Sequence, residues 1–497
     1  MRFLPSRSAV LDGTPDTRDR AIDVARLASL LVVMFGHCVL LLATITPSGV
    51  WVGNTLGAQP ALQPITWVLQ VMPLFFLAGA ASSAYGLKQG TAWGGWLLGR
   101  AQRLARPVFW YLAFWSVILV GARLLLGESS AARLGGESVA LLWFIGVYLL
   151  VLAFVPVLLR GGRATLAGVT VGLLVASAGF DGARLATGAI EWGFPNFLIV
   201  WLIPVVIGVA YARRMIPTRF ALAAAAVTFV AAVAAVVVGP YDVPLVVTGA
   251  ETFSNTTPPT LLLGVHCVWV SLLFVAAAPA IGRWARRPRV WYPVAVGNGG
   301  AMTLYLWHIP AIAIAAFALH YLGIDAVDPH QPGFWGLMGL RAALFAVVMF
   351  ALFVVLSPLE HRRIPWWDAP VAASGAAGAL VGALVCVAGL AVLLMAKEGL
   401  GSSAGRQAMV VFVGALAGAR ACAARTAVEN PMPTVAESSD PAYRRPHGET
   451  GAGGGRRCDR ARPAQGRGGR GVGRSPGLAG GKESVLRQQV SASRCGR

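Results

Sequence analysis

Charged side chains are scarce along most of this chain. They make up 12% of its 497 residues, whereas 56% are hydrophobic and the mean hydropathy is positive. This balance excludes an ordinary soluble globular protein, in which charged residues are about twice as frequent. The composition predicts a polytopic membrane protein with an all-α fold, a transmembrane helix bundle.

Cysteine is also scarce, and its spacing carries no signal. No pair of cysteines has the close spacing of a zinc site, and the pattern suits no disulfide framework. Three of them, Cys38, Cys267 and Cys386, fall in apolar runs, where a thiol behaves as a small hydrophobic group. We therefore predict no bound metal. The six cysteines are at positions 38, 267, 386, 422, 458 and 495.

Long apolar runs, by contrast, are abundant. A helix needs roughly 20 such residues to cross a ~30 Å hydrocarbon core. About ten runs of that length predict a transmembrane domain over residues 21–365, and residues 366–396 add a further apolar helix. The predicted spans are 24–45, 64–87, 105–126, 139–159, 164–180, 194–212, 220–239, 259–281, 293–319 and 335–357, with a candidate eleventh at 371–396.

Basic residues alternate between rich and poor connections, which predicts the orientation. Residues 240–258 and 320–333 contain no Lys or Arg. Because cytoplasmic loops are enriched in Lys and Arg, we place the basic side, including segment 1–20, in the cytoplasm and the bundle in the plasma membrane. The first apolar run is too long for a cleaved signal peptide and should remain as a helix. The basic connections contain Lys88, Arg100, Arg103, Arg106, Arg160, Arg163, Arg213, Arg214, Arg219, Arg283, Arg286, Arg287, Arg289, Arg362 and Arg363.

The net charge of +20 does not indicate nucleic-acid binding. Topology explains most basic residues before residue 365, and about seventeen of the 41 lie after residue 396. Segment 397–497, rich in Gly, Arg and Pro, is predicted to be disordered. An eleventh span would carry this basic tail outside, against the positive-inside tendency. Three explanations are open: 371–396 does not cross fully, a weak return lies near residue 408, or the tail is an artefact such as a shifted reading frame.

The first apolar run, ARLASLLVVMFGHCVLLLATI, contains two ionisable side chains. Arg26 and His37 are eleven residues apart, which on a helix is about 16 Å along the axis and within about 20° of one face. Asp23 lies one turn before Arg26. An ionisable group at bilayer depth costs roughly 2 kcal/mol or more unless it has a partner or a cavity. The stripe has the form of a reaction path entered from the cytoplasm, although an interfacial Arg and a structural His would also account for it.

Several segments, in order, resemble the bacterial integral-membrane acyltransferases of the acyltransferase-3 family. RAIDVARLASLLVVMFGH, residues 20–37, is similar to that family's first helix, in which ten residues separate an Arg from a His. NGGAMTLYLWHIP, residues 298–310, resembles a late segment with a Tyr-x-x-His motif. The resemblance covers about residues 20–365. The other similar segments are QVMPLFFLAGAASSAYGL (70–87), GRAQRLARPVFWY (99–111, a basic cytoplasmic turn), LLWFIGVYLLVLAFVPVL (141–158) and SNTTPPTLLLG (254–264).

The resemblance implies an O-acyltransferase. Its donor would be a cytoplasmic thioester, commonly acyl-CoA as a co-substrate without a tightly bound cofactor, and its acceptor a hydroxyl of a sugar, glycolipid or secondary metabolite. His37 is the candidate catalytic residue, because imidazole titrates near neutrality and can take a proton or carry an acyl group. Arg26 is placed to bind donor phosphate or orient the thioester, with Asp23 holding Arg26.

Other ionisable residues are candidates for the two substrates. Arg100, Arg103 and Arg106 follow a spacing of three and would form a cytoplasmic patch suited to a phosphorylated nucleotide carrier. The alternative for Arg100 is a solvated topology anchor. Acceptor-side candidates are His308, Tyr305 and Glu360, the last of which resembles the end of the family's final core helix; His308 would also suit a structural role.

Two other functional classes fit a helix bundle with intramembrane ionisable groups. A transporter or exporter of a lipid-linked or small polar substrate would use them as a substrate path, but it should show inverted repeats, and none is evident. A membrane scaffold would bind acidic headgroups through its basic tail, which would make the tail essential and His37 dispensable.

Overall fold

The structure is a computed structural model, and it describes residues 5–46, 49–87, 90–325, 327–369 and 373–429. In these ranges the protein is a bundle of helices, and twelve apolar helical segments are long enough to cross a membrane. The predicted all-α transmembrane architecture is confirmed, with one β-hairpin as its exception.

The first half of the bundle contains nine α-helices and the hairpin. Strands β1 (Leu41–Thr46) and β2 (Gly49–Asn54) pair antiparallel, and a 3₁₀ helix covers Pro60–Ile65. The helices are α1 (Arg7–Asp12), α2 (Arg20–Leu40), α3 (Thr55–Ala58), α4 (Thr66–Leu69), α5 (Met72–Gly86), α6 (Trp93–Leu126), α7 (Glu128–Ala140), α8 (Trp143–Leu152) and α9 (Val155–Leu158).

The described residues of the second half contain ten α-helices and one 3₁₀ helix. A 3₁₀ helix covers Ile190–Gly193. The α-helices are α10 (Arg163–Thr187), α11 (Asn196–Ala212), α12 (Thr218–Val237), α13 (Leu261–Trp284), α14 (Pro288–Gly299), α15 (Ala301–Tyr321), α16 (Phe334–His361), α17 (Pro365–Asp368), α18 (Gly375–Glu398) and α19 (Ser403–Glu429).

Helix α2 lies at the centre of the bundle, packed against α5, α13, α14, α15 and α16. Asp19 caps its start by accepting hydrogen bonds from backbone N–H groups of the first turn. The same carboxylate accepts from the hydroxyls of Tyr85 on α5 and Tyr211 on α11, at 3.1 and 2.8 Å. Asp19 therefore joins three helices where α2 begins.

The end of α2 differs from the predicted span 24–45, because the chain becomes strand β1 at Leu41. The guanidinium of Arg341, a buried residue of α16, donates to the carbonyls of Cys38 and Leu41. A cation is favourable at a helix C-terminus, where the last carbonyls lack partners in the helix. A contact from a distant helix thus ends α2 soon after His37.

The predicted span 293–319 is two helices, α14 and α15. They meet at Gly299 and Gly300, and a Cβ on Gly300 would lie 2.4 Å from the ring of Phe353. Only glycine permits this approach, so the break follows from packing against α16. Glu360 accepts from the backbone N–H and the hydroxyl of Thr303, at 2.9 and 2.8 Å, and so caps the first turn of α15.

Two long helices follow the ten predicted spans. Helix α18 corresponds to the candidate 371–396, and α19 lies inside the segment predicted to be disordered. That prediction is wrong for residues 403–429, whereas residues 430–497 lie outside the described residues. A return helix near residue 408 was one of the three explanations for the basic tail, and α19 is long and apolar enough to be that return.

Candidate active site

His37 and His308 meet at the interface between α2 and α15. Nδ1 of His37 lies 2.9 Å from Nε2 of His308, and the rings meet edge to edge, with centroids 5.2 Å apart and planes inclined by 16°. Nδ1 of His308 lies 2.6 Å from the carbonyl oxygen of Tyr305. His308 is completely buried, whereas His37 keeps partial exposure. The pair therefore presents one accessible imidazole supported by a buried one.

Arg26 lies on α2 below His37 and is held from α5. Its Nη2 donates to the hydroxyl of Ser82 at 2.8 Å. The carboxylate of Asp23 forms its hydrogen bonds with Arg18, at 2.6 and 3.1 Å, and lies 3.8 Å from Nη1 of Arg26. The sequence assigned the positioning of Arg26 to Asp23 alone. In the structure Ser82 also holds Arg26, and Arg18 in turn bonds to Asp23.

Arg100 of α6 and Tyr148 of α8 lie close enough to Arg26 to interact with it electrostatically. The Tyr148 hydroxyl stands over Gly79 of α5, where a Cβ would lie 2.2 Å from that oxygen. Among the described residues, no carboxylate forms an ion pair with Arg100. The guanidinium groups of Arg26 and Arg100 near the phenol of Tyr148 therefore carry positive charge that is available to bind an anion.

The three arginines of segment 99–106 have different surroundings. They lie within helix α6, not in a turn, so the resemblance to a cytoplasmic turn is wrong about local structure. Arg103 is exposed, whereas Arg106 forms an ion pair with Asp368 of α17 and donates to the carbonyl of Glu360 at 3.3 Å. Arg106 therefore holds the segment after α16 against α6.

Two acceptor-side candidates have their polar groups occupied elsewhere. The Tyr305 hydroxyl donates to the carbonyl of Leu141, between α7 and α8. Glu360 caps α15 at Thr303, which is five residues, or about 7.5 Å of helix, before His308. Both residues support α15, the helix that carries His308.

A second polar contact joins β1 to α15 beyond the histidine pair. The Thr44 hydroxyl lies 3.1 Å from Nδ1 of His320 and donates to Asp325 at 3.0 Å. Nδ1 of His320 lies 2.9 Å from the other oxygen of Asp325. Sequence reasoning missed the group of Thr44, His320 and Asp325, as it missed Ser82 and Tyr148. For Ser82 and Tyr148 a signal was present, since both fall inside segments that resemble the family.

Residues 19–359, more than half of the chain, match the family model described as an acyltransferase domain. The chain belongs to the acyltransferase-3 family. No curated protein and no solved structure matches this acyltransferase. The family makes the protein an enzyme that transfers acyl groups, with membrane O-acyltransferase activity in general, and favours this function over the transporter and the scaffold.

The acyltransferase thus has two groups of polar residues along central helix α2. The histidine pair lies at its far end, and the cluster of Arg26, Arg100 and Tyr148 lies toward its start. Helices α17 to α19 lie outside the matched range, yet α18 packs against α6, α7 and α8 of the acyltransferase domain. Helix α18, which the family model does not include, therefore supports α6 and α8, the helices that carry Arg100 and Tyr148.

Proposed function

We propose that this acyltransferase transfers an acyl group, acetyl or similar, from acyl-CoA to a hydroxyl of a sugar, glycolipid or secondary metabolite. The observation that carries the proposal is the environment of His37. It is a partly exposed imidazole, held by a buried partner at 2.9 Å, on the helix that also carries Arg26. Imidazole is the side chain suited to moving a proton near neutral pH.

In the proposed reaction His37 acts as general base and then as general acid. Its free ring nitrogen takes the proton of the acceptor hydroxyl as the oxygen attacks the thioester carbonyl. The new C–O bond forms, the C–S bond breaks, and the sulfur leaves as a thiolate that receives the same proton. The products are an ester and coenzyme A, so no oxidant, reductant or net proton is required.

The donor is proposed to approach from the side on which α2 begins. Arg26 and Arg100 supply guanidinium groups for its phosphates, and exposed Arg103 extends that surface. Arg106 is given a structural role, because Asp368 occupies it. The distribution of Lys and Arg supports the proposal that this side faces the cytoplasm, and we propose the plasma membrane as the location of the protein.

The test uses purified full-length protein in detergent with radiolabelled acetyl-CoA. We expect the wild type to bind the donor and to hydrolyse its thioester slowly, with water in place of the acceptor. His37→Ala should bind but lose hydrolysis by about 100-fold or more, because general-base catalysis contributes about that much. Arg26→Gln and Arg100→Gln should weaken binding instead.

A matched control lies on the same helix as Arg100. Arg123 of α6 forms an exposed ion pair with Glu128, far along the helix from the proposed donor site. Arg123→Gln should leave donor binding unchanged. The proposal fails if the wild type binds neither acetyl-CoA nor a longer acyl-CoA, or if Arg123→Gln weakens binding as much as Arg100→Gln does.

A further inference from the structure

We propose that His308 is a positioning residue, which fixes the proton of His37 on Nδ1 and so leaves Nε2 of His37 free to take the proton of the acceptor hydroxyl. This inference rests on the proposed function, because it assigns roles within that reaction. It replaces the expectation that His308 forms part of the acceptor site.

The argument starts at the carbonyl of Tyr305. A carbonyl oxygen can only accept, so the ring nitrogen 2.6 Å from it, Nδ1 of His308, carries a hydrogen. A neutral imidazole has one N–H, and a charged ring in a membrane span is costly. Nε2 of His308 is therefore a bare acceptor.

The same reasoning then applies to the second ring. Nε2 of His308 lies 2.9 Å from Nδ1 of His37, and this contact is a hydrogen bond only if His37 donates. Nδ1 of His37 consequently carries the hydrogen, and its Nε2 carries a lone pair. Two successive hydrogen bonds, from His308 to the carbonyl of Tyr305 and from His37 to His308, thus leave the lone pair of His37 on Nε2.

Exposure separates the roles of the two rings. His308 is 0% exposed and cannot touch a substrate, whereas His37 is partly exposed. His308 acts only through His37. The two rings meet edge to edge with planes inclined by 16°, so the contact lies nearly in the plane of both rings and restricts how the His37 ring can turn.

A neutral partner suits this location. When Nε2 of His37 takes the proton, its Nδ1–H becomes a charged donor, and the bond to His308 strengthens. A carboxylate in the place of His308 would give the same orientation but would bury a permanent charge within the membrane span, which is costly. An imidazole orients His37 without that cost.

The direct test is nitrogen NMR of full-length protein carrying ¹⁵N-labelled histidine in lipid nanodiscs, with the His37 signals assigned by their loss in His37→Gln. We expect a protonated Nδ1 and a bare Nε2 at neutral pH. His308→Phe keeps a ring but removes the acceptor, so both tautomers of His37 should then appear. A wild-type spectrum with the proton on Nε2 of His37 overturns the proposal.

Kinetics of acetyl-CoA hydrolysis supply the functional readout. His308→Phe should lower kcat by about 100-fold with KM unchanged, because His37 loses both its fixed tautomer and the acceptor that stabilises its charged form, whereas donor binding is not affected. His308→Gln should recover most of kcat, since its amide can donate to Tyr305 and accept from His37. If His308→Phe retains wild-type kcat, or if His308→Gln gives no recovery, the positioning role is excluded.

His266 provides the matched control for loss of a buried histidine. It is also 0% exposed, and its Nε2 lies 2.8 Å from the carbonyl of Gln70. His266→Phe should keep both kcat and the His37 tautomer. If the donor assignment is wrong, the wild type itself will not bind or hydrolyse acetyl-CoA. If the His308 proposal is wrong, the ¹⁵N spectra and the kcat values of the His308 variants will show it.

Discussion

At the scale of single residues, several charged side chains where the core helices meet have specific partners. Arg341 bonds to the carbonyls that end α2, Asp19 to two tyrosines, and Arg106 to Asp368. Paired charges are tolerated in a membrane span, where an isolated one is costly. Arg100 differs, because no carboxylate of the described residues pairs with it. This difference is why Arg100, and not Arg106, suits a phosphorylated donor.

Glu251, in the connection between α12 and α13, allows a prediction about pH. Burial alone would raise its pKa, but hydrogen bonds from the hydroxyl and backbone N–H of Thr248, with other backbone N–H groups, outweigh burial and lower the pKa. A carboxylate with a lowered pKa contributes stability above its ordinary pKa of about 4.3, and this stability is lost as the pH falls through the lowered value.

We therefore expect Glu251→Gln to reduce the free energy of unfolding at neutral pH and to have little effect once the pH is below the lowered pKa of Glu251. Thermal unfolding in detergent across this pH range measures the difference. Glu191→Gln changes an exposed carboxylate of the 3₁₀ helix Ile190–Gly193 and serves as the control. A Glu251→Gln effect that does not depend on pH would contradict the prediction.

At the scale of elements, glycine contacts determine how α18 docks on the acyltransferase domain. A Cβ on Gly94 of α6 would lie 1.8 Å from the carbonyl oxygen of Gly378, and one on Gly146 of α8 would lie 2.7 Å from that of Gly389. Small residues let helix backbones approach closely in membranes, where packing supplies the attraction between helices. Helix α18 is thus fitted to α6 and α8.

Alanine substitutions on α6 test this contact. Gly94→Ala must push backbone against backbone and should lower the free energy of unfolding by about 1–3 kcal/mol. Gly99→Ala is the control on the same helix, because nothing lies within 4 Å of its Cβ position. It should be neutral or stabilising by up to about 1 kcal/mol, since alanine favours helix. Equal unfolding temperatures for the two variants would exclude close docking of α18.

At the scale of the whole molecule, the count of crossings decides where the basic tail begins. Eleven crossings would put the end of the last span on the side opposite the N-terminal segment, whereas twelve would put the end of α19 on the same side. The positive-inside tendency favours the second arrangement. A crossing α19 would therefore remove the conflict seen in the sequence.

Cysteine labelling with a membrane-impermeant reagent tests this topology in a background that lacks the six native cysteines. Ser374 and Ser403 are exposed and flank α18, and Ser8 is exposed in α1. From outside intact cells, Ser403→Cys should react, whereas Ser374→Cys and Ser8→Cys should react only after permeabilisation. Labelling of Ser374→Cys and Ser403→Cys from the same side would show that α18 does not cross.

Local sequence determined the spans of this protein, because the length of an apolar run sets whether a helix can cross the bilayer. It also placed Arg26 and His37 on one helix face, since the helical repeat depends on spacing alone. Helix α19 remained one of three open explanations in the sequence, because its run, near residue 408, is short of apolar residues toward its basic end. The family resemblance, carried by ordered motifs over about residues 20–365, is confirmed by the match to residues 19–359.

Only the tertiary structure decided the partners. No spacing rule brings His308 to His37, Arg100 to Arg26, or Arg341 to the end of α2, because these pairs come from helices far apart in the chain. The glycine break that gives α15 its own start depends on the ring of Phe353 in α16. The sequence identifies the ionisable groups, but an apolar pattern does not specify how helices pack. Packing between helices therefore decides which of these groups meet.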